Sequence, residues 1–262
     1  MLGLGSSLTS NTYSWGPGSV PNLTLWLAVN KHIQADQDNS NASLSPVHSS
    51  NLGTMDDLDQ INKWGAHGNT TINAVQTTQA DKPRWEADAA DFGGAKFVGA
   101  ADFLDMSASI ACSGAFTMVV RMKPTDMSGA RAVLGHLNTE FFQINNNKVM
   151  RVKVDNNIID FEEASNTLST SSYTTVIITR NASDEWNAYV KGGGYSTETQ
   201  WGTADQTTSG GDGTFTISNV GCRNDDVSNF LGFMKDVLVY NGTALSSAER
   251  ALMFDYIDNQ QY

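Results

Sequence analysis

The strongest constraint on this chain is a two-residue alternation of oily and polar side chains that recurs through its second half. Phe116, Met118, Val120 and Met122 alternate with Thr117, Val119, Arg121 and Lys123. Successive side chains of a strand point to opposite faces, so this spacing predicts a strand with one apolar face. Met150, Val152 and Val154 alternate with Arg151 and Lys153. They follow Phe141–Ile144 across Asn145, Asn146 and Asn147, which predicts a hairpin. Thr174–Thr179 and Trp186–Lys191 predict a second hairpin around Asn181–Glu185. Phe215 and Ile217 mark a further strand, and Phe230–Tyr240 is the longest apolar stretch and reads as buried. One helix is predicted near the end. Ser246-Ser247-Ala248-Glu249 is a capping box, and Ala248, Leu252, Met253 and Tyr256 then share an arc. Many strands closed by a single helix argue for an all-β, antiparallel sandwich.

Composition excludes several classes. The longest uninterrupted apolar runs are of the order of Leu25–Val29, far short of the roughly 20 residues a bilayer span needs. The opening MLGLGSSLTSNTY has neither a basic residue nor a long apolar core, so no signal peptide is predicted. With 16 Lys+Arg against 28 Asp+Glu and a net charge of −12, the chain lacks the clustered cations that phosphate backbones require. Nucleic acid is therefore disfavoured as a partner, and the acidic surface suits a protein kept soluble in many copies. Cys112 and Cys222 sit in no metal-type spacing. They read as unpaired buried thiols and could bridge only with Cα atoms within about 7 Å.

Two domains of sequence are distinguished. Residues 1–22 are rich in Gly, Ser, Thr and Asn, with Gly16-Pro17-Gly18 near their end. They read as an extended arm with Tyr13 and Trp15 as candidate assembly anchors. Residues 23–262 read as one sandwich domain, in which Gln34–Asn51 is a polar loop.

The segment FLGFMKDVLVYNGTALSSAERALMFDYI, Phe230 to Ile257, resembles the closing strand and helix of laminin G-like jelly rolls in the concanavalin A-like lectin/glucanase superfamily. Gly232, Asp236, Tyr240, Leu245, Ser246 and Glu249 fill that pattern. GAFTMVVRMKP is similar to the family's central strand. RAVLGH, FFQINNNKVMRVKV, YTTVIITRN and EWNAYVKGG follow in the family's order, and WGAHGNTTINAV resembles its early turn. The resemblance covers about residues 58–258 and implies a jelly roll. Three positions depart from it: Lys191 stands where the family often has Asp, and Ala66 and His67 stand where its early turn carries Asp and Ser. With its Gly- and Ser-rich opening, the chain is also similar to laminin G-like structural proteins of tailed bacteriophages. That likeness implies a non-catalytic virion structural protein, made in the host cytoplasm and displayed on the particle as a capsid decoration or a tail or neck appendage. Its partners would be other virion proteins and further copies of itself in a homo-oligomer.

The superfamily also implies carbohydrate chemistry. A lectin-like reading makes the chain a module for host surface polysaccharide, with calcium as a candidate cofactor. Asn224, Asp225 and Asp226, before the closing strand, are the candidate calcium ligands, since calcium takes carboxylate and carbonyl oxygens. Sugar platforms need aromatic faces. Trp201, in the Gly- and Thr-rich stretch Gly192–Gly213 with Tyr195 nearby, is the candidate; it reads first as a simple loop anchor, and equally after that as a sugar platform or a residue buried against a neighbouring subunit. Trp26 and Trp186 fall in strands and read as core. Retaining glycosidases need two carboxyl groups about 5–5.5 Å apart. Laminarinase-type members carry them as E-x-D-x-x-E, whereas Glu86-Ala87-Asp88-Ala89-Ala90-Asp91 ends in a shorter side chain, so no catalytic residue is assigned. The four histidines are scattered and suggest no nucleophilic triad.

Overall fold

Strands dominate the described residues, which in this computed structural model are 15–29, 33–36, 59–86, 93–99, 101–208, 210–223 and 228–259. In chain order they are Leu23–Ala28 (β1), Ile33–Asp36 (β2), Gln60–Trp64 (β3), Ala74–Val75 (β4), Arg84–Glu86 (β5), Gly94–Phe97 (β6), Leu104–Cys112 (β7), Phe116–Pro124 (β8) and Arg131–Leu137 (β9). Then come Glu140–Asn146 (β10), Val149–Val154 (β11), Asn157–Glu162 (β12), Thr174–Arg180 (β13), Trp186–Gly192 (β14), Tyr195–Gln206 (β15), Phe215–Val220 (β16), Gly232–Asn241 (β17) and the helix Ser247–Asp258 (α1).

The pairings build two antiparallel layers. One runs β15–β14–β13–β8–β17–β1. The other runs β12–β11–β10–β9–β16–β7–β4–β3–β2. Along one side β6 continues the line of β1 on β17, and β5 joins β6 to β3. The ladder therefore passes from layer to layer there, giving a sandwich that is almost a barrel. Both predicted hairpins are present as β10–β11 and β13–β14. The polar stretch from Gln34 departs from its reading as a loop, because Gln34–Asp36 belong to β2. The rest of that stretch lies outside the described residues.

Between the layers lies the main core. Val120 faces Val176 and Met118 faces Ile178 across β8 and β13, and all four are buried in it. Phe116 stacks on Phe215 at 5.6 Å and meets Trp186 edge-on at 5.2 Å. Cys112 and Cys222 are both buried and neither forms a disulfide.

The outer face of the β8 layer is also buried, which the alternation alone does not predict. Val119, Ile177, Leu238 and Tyr240 form a second cluster there with Val20, Trp26, Leu245, Met253, Phe254 and Ile257. Helix α1 is the cover. Its capping box forms as expected, with Ser246 Oγ accepting from Glu249 N and Glu249 Oε2 accepting from Ser246 N. Its buried arc is rotated from the predicted one. Met253, Phe254 and Ile257 are buried, while Ala248 and Leu252 face solvent, because the arc Met253–Phe254–Ile257 brings the large Phe254 ring onto the sheet surface. Residues 15–22, the root of the expected arm, pack beside this helix. Trp15 meets Tyr256 edge-on at 6.2 Å, Tyr240 Oη donates to Pro17 O at 2.9 Å, and Asn241 N donates to Asn22 O at 3.0 Å.

One buried cation ties the far end together. Arg180 is 0% exposed and donates from Nε to Gly114 O at 2.6 Å, from Nη1 to Gly211 O at 3.2 Å and Gly213 O at 2.6 Å, and from Nη2 to Cys112 O at 3.1 Å. Its guanidinium lies 5.1 Å from the Phe116 ring and 5.4 Å from that of Trp186. Burial lowers its pKa, and the nearby Asp184 opposes that effect.

Candidate functional site

Of the residues picked out by sequence, Trp201 and Tyr195 come together. Trp201 lies in β15 rather than in a loop and is 0% exposed. Its indole Nε1 donates across the sandwich to Lys148 O at 3.1 Å, and Tyr195 meets its ring edge-on at 5.9 Å. The next residue, Gly202, has φ +73°, and a Cβ there would come within 2.9 Å of Glu162 N. A left-handed, side-chain-free position lets β15 close against β12. Trp201 is thus the plug of the sandwich's open side, with no ring face available to a sugar. Tyr195 is anchored too, since its hydroxyl donates to Thr167 O at 2.9 Å and accepts from Thr167 N at 3.1 Å. Burial raises its pKa. Asn224, Asp225, Asp226 and Tyr13 lie outside the described residues. Among the described residues no group of three or more His, Cys, Asp or Glu could hold a metal ion.

Glu86 ends β5 and is taken up by an ion pair with Lys96. Asp88 and Asp91 are outside the described residues. Lys191, the departure from the resemblance, pairs with Asp255 at 2.9 Å and Asp258 at 3.0 Å and so pins α1 to β14. The hydrogen bond to Asp255 is the main cause of its raised pKa.

A serine and a histidine do approach each other on the outer face of the second layer. His136 Nδ1 lies 3.0 Å from Ser218 Oγ. The direction of the bonds decides what the pair can do. The Asp105 carboxylate accepts from Asn219 Nδ2 at 2.6 Å, so Asn219 Oδ1 faces Ser218 and accepts its hydroxyl proton at 2.6 Å. Ser218 has then given its only proton away, and His136 Nδ1 must be the donor. A nucleophilic serine needs the opposite arrangement. The row is a polar brace, and burial raises the Asp105 pKa against the effect of Asn219.

The feature that sequence reasoning missed is a cleft of about 290 Å³ on the α1 side, lined by Gly18, Val20, Pro21, Asn22, Trp26 and Asn69 among others. Trp26 retains 8% exposure there. His67 holds its ring edge-on at 4.2 Å and Tyr256 does so at 6.0 Å. Gly68, at φ +64°, brings the early turn against the indole; a Cβ would stand 3.2 Å from Trp26 Cε3. The lining carries no charged residue, in a chain whose net charge is −12. A fixed indole beside two amides is the chemistry that polyhydroxylated rings use. The apolar run around Trp26 signalled burial, and only the meeting of residues 18–22 with residues 68–69 opens the cleft.

A laminin G-type model of the concanavalin A-like lectin/glucanases superfamily matches residues 92–249. The chain belongs to this superfamily. Its laminin G-like sandwich is also similar to solved glycoside hydrolases. Trypanosoma rangeli sialidase aligns at 13% identity and a TM-score of 0.53, over 92% of this chain and 33% of that one. An α-L-arabinofuranosidase aligns at 9% identity and a TM-score of 0.62, over 90% of this chain and 62% of that one. The chain therefore spans less than two thirds of either protein, and the likeness is one of fold. No curated protein matches the chain. No helix among the described residues is long and apolar enough to cross a membrane.

Proposed function

We propose that this laminin G-like chain is a non-catalytic virion structural protein, displayed on a tailed-phage particle and attached through its N-terminal segment. The observation that carries the reading is the integration of that segment's root into the fold. Trp15, Pro17 and Asn22 are fixed against Tyr256, Tyr240 and Asn241, on the face that α1 covers. An arm seated this way transmits load to a rigid sheet, while the outer face of the β9–β16–β7 layer remains available for display. The pairing of Glu86 with Lys96 and the misdirected Ser218 proton support a binding rather than a catalytic role. Mass spectrometry of purified particles from the source tests the reading, and particles lacking the chain overturn it. Sedimentation of the full chain beside one lacking residues 1–14 should show an oligomer that falls apart without the segment.

A second reading, a module for host surface glycans, is favoured by the Trp26 cleft and is compatible with display. It predicts that Trp26→Ala removes binding on a glycan array while the chain still enters particles. Unchanged binding by that variant excludes the cleft.

A further inference from the structure

The polar groups that line the Trp26 cleft are held in directions the hydrogen bonds fix. Asn22, one of them, adopts the left-handed backbone at φ +65°. Its main-chain O accepts from Asn241 N at 3.0 Å and from Thr24 Oγ1 at 3.1 Å. Thr243 Oγ1 donates its one proton to Pro21 O at 3.2 Å, so it must accept from Asn22 Nδ2 at 3.0 Å. That sets the carboxamide: Nδ2 turns to Thr243, and Oδ1 is left without a donor among the described residues. The second segment of the lining is pinned as well. His67 N donates to Trp26 O at 2.8 Å and Thr70 Oγ1 donates to His67 O at 2.8 Å, which holds the turn carrying Gly68 and Asn69. Asn69 is exposed, and its carboxamide is unspent among the described residues. Val20, Leu23 and Trp26 supply the apolar part of the lining.

What these groups leave open defines the ligand. No cation lines the cleft, and the chain carries a net charge of −12. An anionic sugar would give up water without gaining a charge-assisted bond, and it would be repelled at long range. At about 290 Å³ the cleft lies at the small end of ligand pockets and suits one ring rather than several. Hydroxyl groups alone would leave the surface of Val20, Leu23 and Trp26 unmatched. An acetamido group matches both parts of the lining. Its methyl suits the apolar wall, its N–H suits Asn22 Oδ1, and its carbonyl suits the Asn69 amide. Holding Asn22 and the turn in place before a ligand arrives removes part of the ordering cost of binding. An analogue without the acetamido group would leave these amides desolvated and unpaired, which makes the recognition selective. We propose that the Trp26 cleft binds a single uncharged 2-acetamido sugar ring, held by Asn22 and Asn69. This assignment rests on the glycan-module reading of the same cleft and names the sugar that module takes.

The test uses the full chain and four free sugars: N-acetylglucosamine, N-acetylgalactosamine, glucose and N-acetylneuraminic acid. Binding is followed by amide chemical shifts and by saturation transfer from protein to sugar. At least one of the two neutral N-acetyl sugars should give saturable shifts centred on residues 18–23, 26 and 67–69, with the strongest transfer at the acetamido methyl. Glucose should bind at least tenfold more weakly, and N-acetylneuraminic acid should not saturate. Asn22→Gly suits the left-handed backbone, and Asn69→Ala alters an exposed side chain. Each should weaken the N-acetyl sugar at least tenfold, with thermal unfolding as the check that both variants fold. Glucose binding as tightly as the N-acetyl sugars, or N-acetylneuraminic acid saturating the same amides, overturns the sugar assignment and leaves the glycan reading standing. Equal binding by the native chain and both variants also overturns it. Silence of all four sugars at these residues overturns the assignment, and an empty glycan array in addition overturns the glycan reading itself.

Discussion

Replacing Arg180 by Met should be the most damaging single substitution at the end of the sandwich where β7, β8 and β13 meet. The guanidinium is fully buried and satisfies four main-chain carbonyls, those of Cys112, Gly114, Gly211 and Gly213. Hydrogen bonds from a charged donor contribute roughly 1.5–3 kcal/mol each, but they are not additive and removing the cation also removes its desolvation cost. Gly211 and Gly213 lie in the connection to β16, where carbonyls can regain water if the connection opens. The cost should therefore resemble that of breaking a buried charged pair, about 3–5 kcal/mol. At roughly 2–4 °C per kcal/mol for a chain of this size, Tm falls by about 6–20 °C. Asp184, at 3.9 Å and 38% exposed, adds little to this total because its charge is screened. Arg180→Lys keeps the charge but cannot fork to four carbonyls on two segments, so it should recover only a minor part of the loss. The assay is thermal unfolding by circular dichroism, paired with hydrogen exchange. Residues 211–213 should lose protection before the sheet does. A Tm for Arg180→Met within about 2 °C of the native value refutes the role assigned to these four bonds.

Three further outcomes follow from the same geometry. Trp201→Ala should cost about 3–5 kcal/mol by leaving a cavity, whereas Trp201→Phe should lose mainly the bond to Lys148 O, worth roughly 1–3 kcal/mol; urea unfolding separates them, and a neutral Trp201→Ala would contradict the buried placement. Burial pushes the Cys112 thiol up to about 12, and Cys222 is also enclosed, so a disulfide-exchange reagent at pH 8 should label neither thiol until denaturant is added. Rapid native-state labelling of either one counts against this packing. The Ser128 main-chain N–H, with Arg131 beside it, holds Asp126 down at about 2 against an ordinary 3.8. A carboxyl lowered in the folded state contributes stability above pH 3.8 and loses it as pH falls toward about 2, so Asp126→Asn should flatten that part of the acid-unfolding curve. An unchanged acid limb in the variant removes Asp126 from the account.

Several strands of the second half were legible because one face lies in the core and the other is turned outward, which writes the structure into the local alternation. β11 is an example, with Met150, Val152 and Val154 buried and Arg151 and Lys153 outside. The strands before Phe92 were less legible, beyond the placement of Trp26 in a buried one, for the converse reason. In β1, Leu25 and Leu27 enter the main core while Trp26 and Ala28 enter the cluster under α1, so both faces are apolar and no period appears. The short strands β4 and β5 carry too few residues to show any period at all. The helix cap was legible because it is a contact between Ser246 and Glu249, three residues apart.

Trp26 and Trp201 exchange the roles their surroundings suggest, and the exchange shows where local reasoning ends. Trp201 has Gly202 and several threonines beside it, a composition that favours turns, yet its burial is decided by β12 and by Lys148, far away in the chain. Trp26 sits in an apolar strand, yet it borders a cleft because residues 18–22 and the turn at Gly68 stop short of covering it. Arg180 obeys the same rule. At the end of TTVIITR nothing local marks it out, and it is fully enclosed only because the β7–β8 connection and the connection to β16 converge on it. In a sandwich, the two layers are joined by contacts that have no sequence period. Side chains that cross between layers or cap their ends are therefore the ones whose function is set by topology, and Trp26, Trp201 and Arg180 are all of that kind.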